Sequence, residues 1–307
     1  MSFLKKIFGF EKEHACLAIN DAYLEGLQFK QNGDKTELIG INKVTLEEGV
    51  VEHGFIKNES KFQIAVANLF SDAQPQPIKA KHLYINIPFE QIYPFVQTFS
   101  THSKEEHMQN SLMSLVESQA PFRVDELMVD FDKKVSSKRI SYCALAYPKN
   151  WKRAVHEACT EIGFEEFHFI PESAAQLSLA QSIGTDHYAL LSWQEGRVFL
   201  SLFFDNLLFD SFALKSSFNQ KQKDPAPLID ECKKAFEDFE DNFKETIQQY
   251  YFASFPDFLR KPLKNTAENE KWNAVFLKES ENNISEIISA EDYSTTLVGL
   301  ALKLLEK

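Results

Sequence analysis

Apolar and polar residues alternate in short runs at the start of the chain, which is the pattern of strands that bury one face of a sheet. Three such runs lie within residues 14–44. They are separated by Asn20-Asp21 and by Asn32-Gly33, residue types that favour tight turns between antiparallel strands. The pattern therefore predicts a three-stranded β-meander.

A helix is predicted after the meander, because Phe62, Val66 and Leu69 recur at the spacing of one helix face. Asn58 precedes them and is a favoured residue for capping a helix N-terminus. A compact apolar run then ends at Pro88, which indicates one more strand. The first 88 residues are therefore expected to form a lobe made of a sheet and a helix.

The pattern changes over residues 89–148, where a strand, a helix and two further strands are predicted. This order is typical of a separate small α+β unit. Residues 149–184 follow with a helix, a strand and a second helix. That second helix begins at Pro171-Glu172 and is expected to end near Gly184.

The remaining residues begin with a second set of three apolar runs, so the opening meander is repeated. A long amphipathic helix, a strand at 250–254 and a C-terminal helix come next. The repetition predicts an α/β protein with two lobes. Its segments are 1–88 as the first lobe, 89–148 as an inserted subdomain, 149–184 as a return to the first lobe with an interlobe helix, and 185–307 as the second lobe.

Composition narrows the classes of partner. Across 307 residues, Lys and Arg total 33 and Asp and Glu total 45, which gives a formal net charge of −12. An acidic chain repels phosphate backbones, which argues against nucleic acid as a partner. The four cysteines are scattered, without the spacing of a metal knuckle or a redox pair.

The hydropathy of the chain bears on its location. No stretch has the apolar length of a signal-peptide core or of a membrane span, so a cytoplasmic location is expected. The first ten residues combine apolar side chains with Lys5 and Lys6, which suits contact with an anionic membrane surface. Packing of this segment on its own domain is the alternative. Peripheral association at the inner face of the membrane therefore stays open.

The order of the elements resembles the internal duplication of the actin-like ATPase fold. Three stretches narrow the resemblance: LEEGVVEHGFIKNES before the first helix, Pro171-Glu172-Ser173 at the interlobe helix, and LVGLALKLL near the C-terminus. With them the chain is similar to PilM-like type IV pilus assembly proteins of the FtsA/PilM superfamily, as a divergent relative. The resemblance implies an actin-like fold with an inserted 1C, or SHS2-like, subdomain at residues 89–148.

The resemblance also implies a nucleotide site, in which two turns hold the phosphates of ATP and Mg²⁺ and a glycine pair approaches the adenosine. This sequence departs from the family pattern at all of these places. The departures are Ala18 and Glu25 in place of Asp and Lys at the first turn, Ser192, Trp193 and Gln194 in place of Asp-x-Gly at the second, and Ala253 and Ser254 in place of the glycines. The chain is therefore expected to be a degenerate ATPase, for which no catalytic residue and no metal ligand is assigned.

Residual nucleotide binding is assigned to the groups that remain at the two turns. They are Asn20, Asp21, Ser192, Glu195 and Gly196. The alternative is that these are ordinary turn residues. The resemblance therefore implies ATP with Mg²⁺ as a cofactor, whereas the residues alone do not. Gly49 and Gly54 have the spacing of a P-loop, but Phe55 follows where the phosphate-binding Lys would stand.

PilM-like proteins receive a short cytoplasmic tail of an inner-membrane protein beside the inserted subdomain, so the resemblance implies a PilN-like partner. The candidate contacts are Tyr93 and Phe95 on its first strand and Met108, Leu112 and Leu115 on its helix. Apolar residues at helical spacing also serve to pack a helix on its own sheet. A core role is therefore the alternative for these residues.

The expected function is that of a non-catalytic or weakly nucleotide-binding cytoplasmic adaptor for a type IV pilus or secretion assembly, which binds a short partner peptide. One alternative is an active actin-fold ATPase or small-molecule kinase, with Asp21, Glu172 and Glu195 as the available carboxylates. Another is an FtsA-like cell-division scaffold. Such scaffolds carry a C-terminal amphipathic tail, which is not seen before Lys307.

Overall fold

A computed structural model of the protein describes residues 12–32, 35–180, 183–194, 196–215, 225–277 and 293–305. The strands are β1 (Lys12–Ile19), β2 (Tyr23–Asn32), β3 (Lys35–Thr45), β4 (Val51–Glu52), β5 (Phe55–Ile56), β6 (Gln74–Pro75), β7 (His82–Ile87), β8 (Tyr93–Phe99), β9 (Leu127–Val135), β10 (Ile140–Pro148), β11 (Glu166–Pro171), β12 (Tyr188–Gln194), β13 (Arg197–Phe204), β14 (Leu207–Ala213), β15 (Gln249–Ala253) and β16 (Ala274–Phe276). The helices are α1 (Glu59–Ser71), α2 (Glu105–Gln119), α3 (Lys149–Glu161), α4 (Glu172–Leu177), α5 (Ala226–Phe243), α6 (Asp257–Asn269) and α7 (Thr295–Leu305), with 3-10 turns at Phe89–Gln91 and Val124–Glu126.

The chain forms two compact units, the first built from residues up to Pro88, from Asn150–Leu179 and from the C-terminal segment. Its six-stranded sheet has the order β11-β7-β1-β2-β3-β6. The predicted meander is confirmed as the antiparallel strands β1, β2 and β3, while β7 and β11 pair in parallel beside it. Helix α1 is also confirmed, and Asn58 caps it by accepting a hydrogen bond from the Lys61 amide at 3.1 Å.

Alternation along β11 assigns the two faces of this sheet. Phe167 contacts the ring of His156 on α3, and Phe169 contacts Trp151 on the same helix at a centroid distance of 5.8 Å. Residues one position away on β11 therefore point to the opposite face. On that face α7 packs against β1 and against α4.

The second unit comprises Phe89–Lys149 and Ala180–Leu277. Its five-stranded sheet has the order β14-β13-β12-β15-β16, and α5 and α6 bury apolar residues against it. The predicted second meander is confirmed as β12, β13 and β14. Its last turn is Asp205-Asn206, where both residues have positive φ, as a two-residue hairpin of the primed kind requires.

The predicted small α+β subdomain is present in this unit as the sheet β8-β10-β9 with α2 on one face. The start of β10 is joined to the β13–β14 turn. Arg139 donates to both carboxylate oxygens of Asp205 at 3.0 and 3.1 Å, and the Ser141 hydroxyl donates to the same carboxylate. Burial opposes ionisation of Asp205, but these hydrogen bonds and the charges of Arg139 and His187 lower its pKa below the ordinary value.

Helix α4 and strand β16 are among the elements that differ from the sequence-based expectation. Helix α4 ends at Leu177 and not near Gly184, because the last turn tightens to hydrogen bonds of the i to i−3 type, from the Ser178 amide to Ala175 at 3.1 Å. Strand β16 was not expected in its weakly patterned stretch. Its three residues pair with β15 on the outer side of the sheet.

The C-terminal helix α7 lies within the first unit. Gly299 makes the close approach to α4, since a Cβ built on it would stand 2.0 Å from the carbonyl oxygen of Ala175. Leu297, Val298 and Leu300 are buried around this contact. In the described part of the chain, no helix is both long enough and apolar enough to cross a membrane.

Substitution Gly299→Ala is expected to lower the free energy of unfolding by about 2 kcal/mol or more, because the methyl group must push α4 and α7 apart. Urea unfolding followed by circular dichroism measures this. Gly184→Ala is the matched control, since a Cβ there meets nothing within 4 Å. Equal stability of the two variants would contradict the close packing.

Candidate functional site

The first predicted phosphate turn connects β1 and β2. The Asn20 side chain accepts a hydrogen bond from the Ala22 amide at 3.2 Å, which stabilises the turn itself. The two carboxylate oxygens of Asp21 accept from the amides of His53 and Gly54, each at 2.8 Å. Asp21 therefore holds the β4–β5 hairpin, whose turn residues His53 and Gly54 both have positive φ.

Glu25 occupies the position at which the family pattern has a lysine. It lies near the start of β2, between Ala18 on β1 and Lys43 on β3, and its side chain has 0% exposure. The ammonium of Lys43 stands 3.0 Å from one carboxylate oxygen. The sheet therefore carries a negative charge at the point where the resemblance implies a lysine.

The Glu25 carboxylate also accepts hydrogen bonds from the segment that starts α7. Both of its oxygens accept from the Ser294 amide at 3.1 Å, and the Ser294 hydroxyl donates to it as well. The Ser294 oxygen in turn accepts from the Leu297 amide at 3.2 Å, so Ser294 is the N-cap of α7. Glu25 therefore places its charge at the positive end of a helix, where a carboxylate is stabilised.

A second buried carboxylate, Glu172, lies at the start of α4 on the same face of the first unit. It accepts from the Thr296 hydroxyl at 2.7 Å and from the Asn86 side-chain amide at 3.4 Å. Asn86 also exchanges two hydrogen bonds with the backbone of Ile19, at 2.7 and 3.1 Å. These hydrogen bonds connect β1, β7, α4 and α7. The Glu172 carboxylate therefore helps to hold these elements together.

The second predicted phosphate turn lies in the second unit, between β12 and β13. Ser192 is fully buried, and its hydroxyl has no hydrogen-bond partner among the residues that the structure describes. Gly196 has a φ of +88°, which suits a hairpin turn. Glu195 lies outside the described residues. Trp193 packs beside Phe255 and Phe258, with centroid distances of 6.1 and 6.3 Å, so its indole lies against the loop that follows β15.

The two positions at which the resemblance implies a glycine pair, Ala253 and Ser254, lie at the end of β15. Ala253 is buried and pairs with Ser192 on β12. Ser254 has a φ of +61°, in the left-handed region that glycine adopts without strain. The backbone shape that glycine favours is therefore kept at Ser254, while the side chain restricts how closely another group can approach.

The predicted partner-binding residues all contact one apolar cluster of the small subdomain. Met108 and Leu112 are 2% and 0% exposed, while Tyr93, Phe95 and Leu115 are partly buried at its margin. Burial thus matches the core alternative for Met108 and Leu112. The structure brings these five residues together, and a role in partner binding stays a prediction.

The contacts of Ser294 and Thr296 were not anticipated from the sequence. Both residues lie just before an apolar helical run, where serine and threonine are favoured as caps, so the helix start could be found. Their carboxylate partners could not, because Ser294 is separated from Glu25 by 269 positions.

Comparisons with known proteins identify the fold. No protein-family profile matches the chain, and no curated protein matches it by sequence. A chain of the PilM–PilN type IV pilus biogenesis complex superposes with a TM-score of 0.67 at 12% identity, covering 96% of this chain and 99% of that one.

Two further solved structures are similar over nearly the whole chain. The cytoplasmic domain of EpsL, an inner-membrane component of the type II secretion system of Vibrio cholerae, has a TM-score of 0.51 at 12% identity, with 96% of each chain covered. A Bacteroides thetaiotaomicron protein with an actin-like ATPase fold and unknown function has a TM-score of 0.51 at 10% identity, covering 95% of this chain and 100% of that one. The protein therefore has the actin-like ATPase fold, and the predicted resemblance to PilM is confirmed at the level of the fold.

Substitution Glu25→Gln is expected to lower the free energy of unfolding by about 2 kcal/mol, because charge-assisted hydrogen bonds from Ser294 and the ion pair with Lys43 are lost. Urea unfolding measures the change. Glu48→Gln, an exposed acid of the same unit, is the control and should alter stability by less than about 0.5 kcal/mol. A Glu25→Gln variant as stable as this control would show that the carboxylate is dispensable.

Substitution Ser254→Gly is expected to raise the free energy of unfolding by about 0.5–1 kcal/mol, because glycine adopts positive φ without a Cβ clash. Ser254→Ala removes the hydroxyl but retains the Cβ, so it should give no gain. Thermal and urea unfolding of the two variants measure the difference. A gain in both would assign the effect to the hydroxyl and not to the backbone.

Proposed function

We propose that this protein is a PilM-like cytoplasmic adaptor of an inner-membrane assembly of the pilus or secretion type, and that it works without turnover of ATP. The observation that carries the proposal is the likeness over 96% of the chain to a chain of the PilM–PilN complex. The likeness to the cytoplasmic domain of an inner-membrane secretion component, also over 96% of the chain, supports the same class of role.

The local structure of the first turn supports the absence of turnover. A lysine at this position would neutralise phosphate charge, whereas Glu25 is a buried carboxylate committed to Lys43 and Ser294. Asp21, the nearby acid that would be available for a magnesium ion, directs both of its oxygens to backbone amides. The charges needed for ATP chemistry are thus used to hold the first unit together.

The second turn and the glycine-pair position support the same reading independently, since they lie in the other unit. Trp193 fills space beside the loop after β15, and Ser254 places a side chain where the family pattern has none. Phosphate-binding turns rely on small residues that let the backbone approach the ligand. Both substitutions work against such an approach.

The proposed partner is a short cytoplasmic tail of a membrane protein, of the PilN kind. The proposed contact surface is the margin of the small subdomain, where Tyr93, Phe95 and Leu115 keep part of their surface accessible. Met108 and Leu112 support these residues from beneath. Partly exposed aromatic side chains on a rigid sheet are typical anchors for a peptide.

Peptide binding is tested with labelled synthetic peptides that correspond to the cytoplasmic segments of single-span membrane proteins encoded beside this gene. Fluorescence anisotropy is expected to show saturable binding, and Tyr93→Ala is expected to weaken it about tenfold, as the loss of an aromatic anchor does. Val135→Ala, at a strongly exposed position of the same sheet, is the control and should leave the affinity unchanged. Binding that is equally insensitive to both substitutions would place the contact elsewhere.

Nucleotide turnover is tested by titration calorimetry with Mg-ATP and by phosphate release. We expect no saturable heat and no phosphate release above the buffer rate. Binding with a dissociation constant of about 10 μM or less, accompanied by hydrolysis, would instead support an active ATPase or kinase. The two tests are independent, because peptide binding can succeed whatever the nucleotide result.

A further inference from the structure

Neighbouring strands bring a group of metal-ligating side chains together on the first unit's sheet. In the parallel pairing of β7 and β11, Glu166 lies opposite His82, and His168 lies opposite Tyr84. Side chains two positions apart on a strand share one face, so His82, Glu166 and His168 project to the same side. This is the face opposite to Phe167 and Phe169.

The donor atoms of these three side chains are close enough for a shared ion. One ligand atom of each residue lies within 4.8 Å of those of the other two. The His82 Nδ1 and a carboxylate oxygen of Glu166 are already 3.1 Å apart. Ligands at the usual zinc distances of about 2.0–2.2 Å are separated from each other by little more than this. Small side-chain rotations therefore suffice to bring all three donor atoms within bonding distance of one ion.

The surroundings hold the ligands in place and leave them accessible. The ring of Tyr84 stacks on that of His168 at a centroid distance of 4.3 Å, which restricts the orientation of the imidazole. The side chains of His82 and Glu166 are 37% and 63% exposed, so an ion can reach them from solvent. An ion pair explains the contact of His82 with Glu166, and an imidazole nitrogen of His168 adds a third donor atom within 4.8 Å of both, which is the arrangement of a metal site.

The donor set selects the class of metal. Two imidazoles and one carboxylate suit borderline transition ions such as Zn²⁺, Co²⁺ and Ni²⁺, whereas Mg²⁺ and Ca²⁺ prefer oxygen ligands alone. The ring of His14, on β1, lies 5.8 Å from that of His82. Either His14 or a water molecule can complete a four-coordinate site.

We propose that His82, Glu166 and His168 form a binding site for a divalent transition-metal ion of the zinc class. The ion joins β11, the edge strand of the sheet, to β7. The site lies within the first unit and is separate from the residues of the proposed peptide surface, so it does not depend on the proposed function.

The test uses the full chain without an affinity tag, freed of metal by a chelator. Titration calorimetry with ZnCl₂ and the visible absorption of the Co²⁺ form measure binding. We expect about one ion per chain, and Co²⁺ bands typical of tetrahedral coordination. His82→Ala, His168→Ala and Glu166→Gln should each weaken binding by more than about tenfold, since even outer-shell substitutions have effects of this size.

His156→Ala is the matched control, because this histidine contacts Phe167 on the other face of the same strand. It should leave the affinity unchanged. Glu166→Gln alters an exposed side chain, so it tests the site even where a histidine variant fails to fold. No binding of Zn²⁺, binding that His156→Ala reduces as much as His82→Ala does, or binding that Glu166→Gln leaves intact would each overturn the proposal.

Discussion

Glu25 carries a carboxylate without exposed surface, and a charge in that position has to be compensated by donors inside the protein. Lys43 on the adjacent strand supplies one partner, and the Ser294 amide and hydroxyl supply the others. Because Ser294 also caps α7, compensation of the charge fixes where the C-terminal helix begins on the sheet. The contact of Gly299 with the Ala175 carbonyl then sets how closely α7 approaches α4. The buried charge of Glu25 thus fixes the start of α7, and the contact of Gly299 with α4 fixes the approach of its middle.

The same constraint bears on the proposed function. An actin-like nucleotide site needs positive and small groups at its turns, and three residues that the resemblance places there are engaged in packing or in internal hydrogen bonds. Glu25 binds a helix terminus, Asp21 binds a hairpin, and Trp193 packs on Phe255 and Phe258. These contacts stabilise each unit without a ligand. Stabilisation by internal contacts is compatible with the proposed role, in which the protein acts as an adaptor without turnover of ATP.

Much of the fold could be predicted from the sequence, because alternation in β1–β3 and β12–β14 and the cap at Asn58 are local signals. Local signals failed at two kinds of place. The last turn of α4 tightens before the expected end of the helix, and the short strand β16 forms by pairing with β15, which its own weak pattern does not reveal. Helical spacing likewise places Met108 and Leu112 on one face but does not tell a core from a groove. The contact of Glu25 with Ser294 could not be predicted, because no local sequence pattern connects the two residues.

The proposed metal site depends on the register of the sheet and could not be found from the spacing of its residues in the sequence. His82 and His168 are far apart in the chain, and only the parallel pairing of β7 with β11 brings them to one face. Strand β11 ends at Pro171, directly before Glu172, whose carboxylate accepts from Thr296 at the start of α7. An ion that joins β11 to β7 would therefore stabilise the strand that positions Glu172. Metal binding would therefore raise the stability of the first unit, whereas peptide binding is proposed for the small subdomain of the second unit.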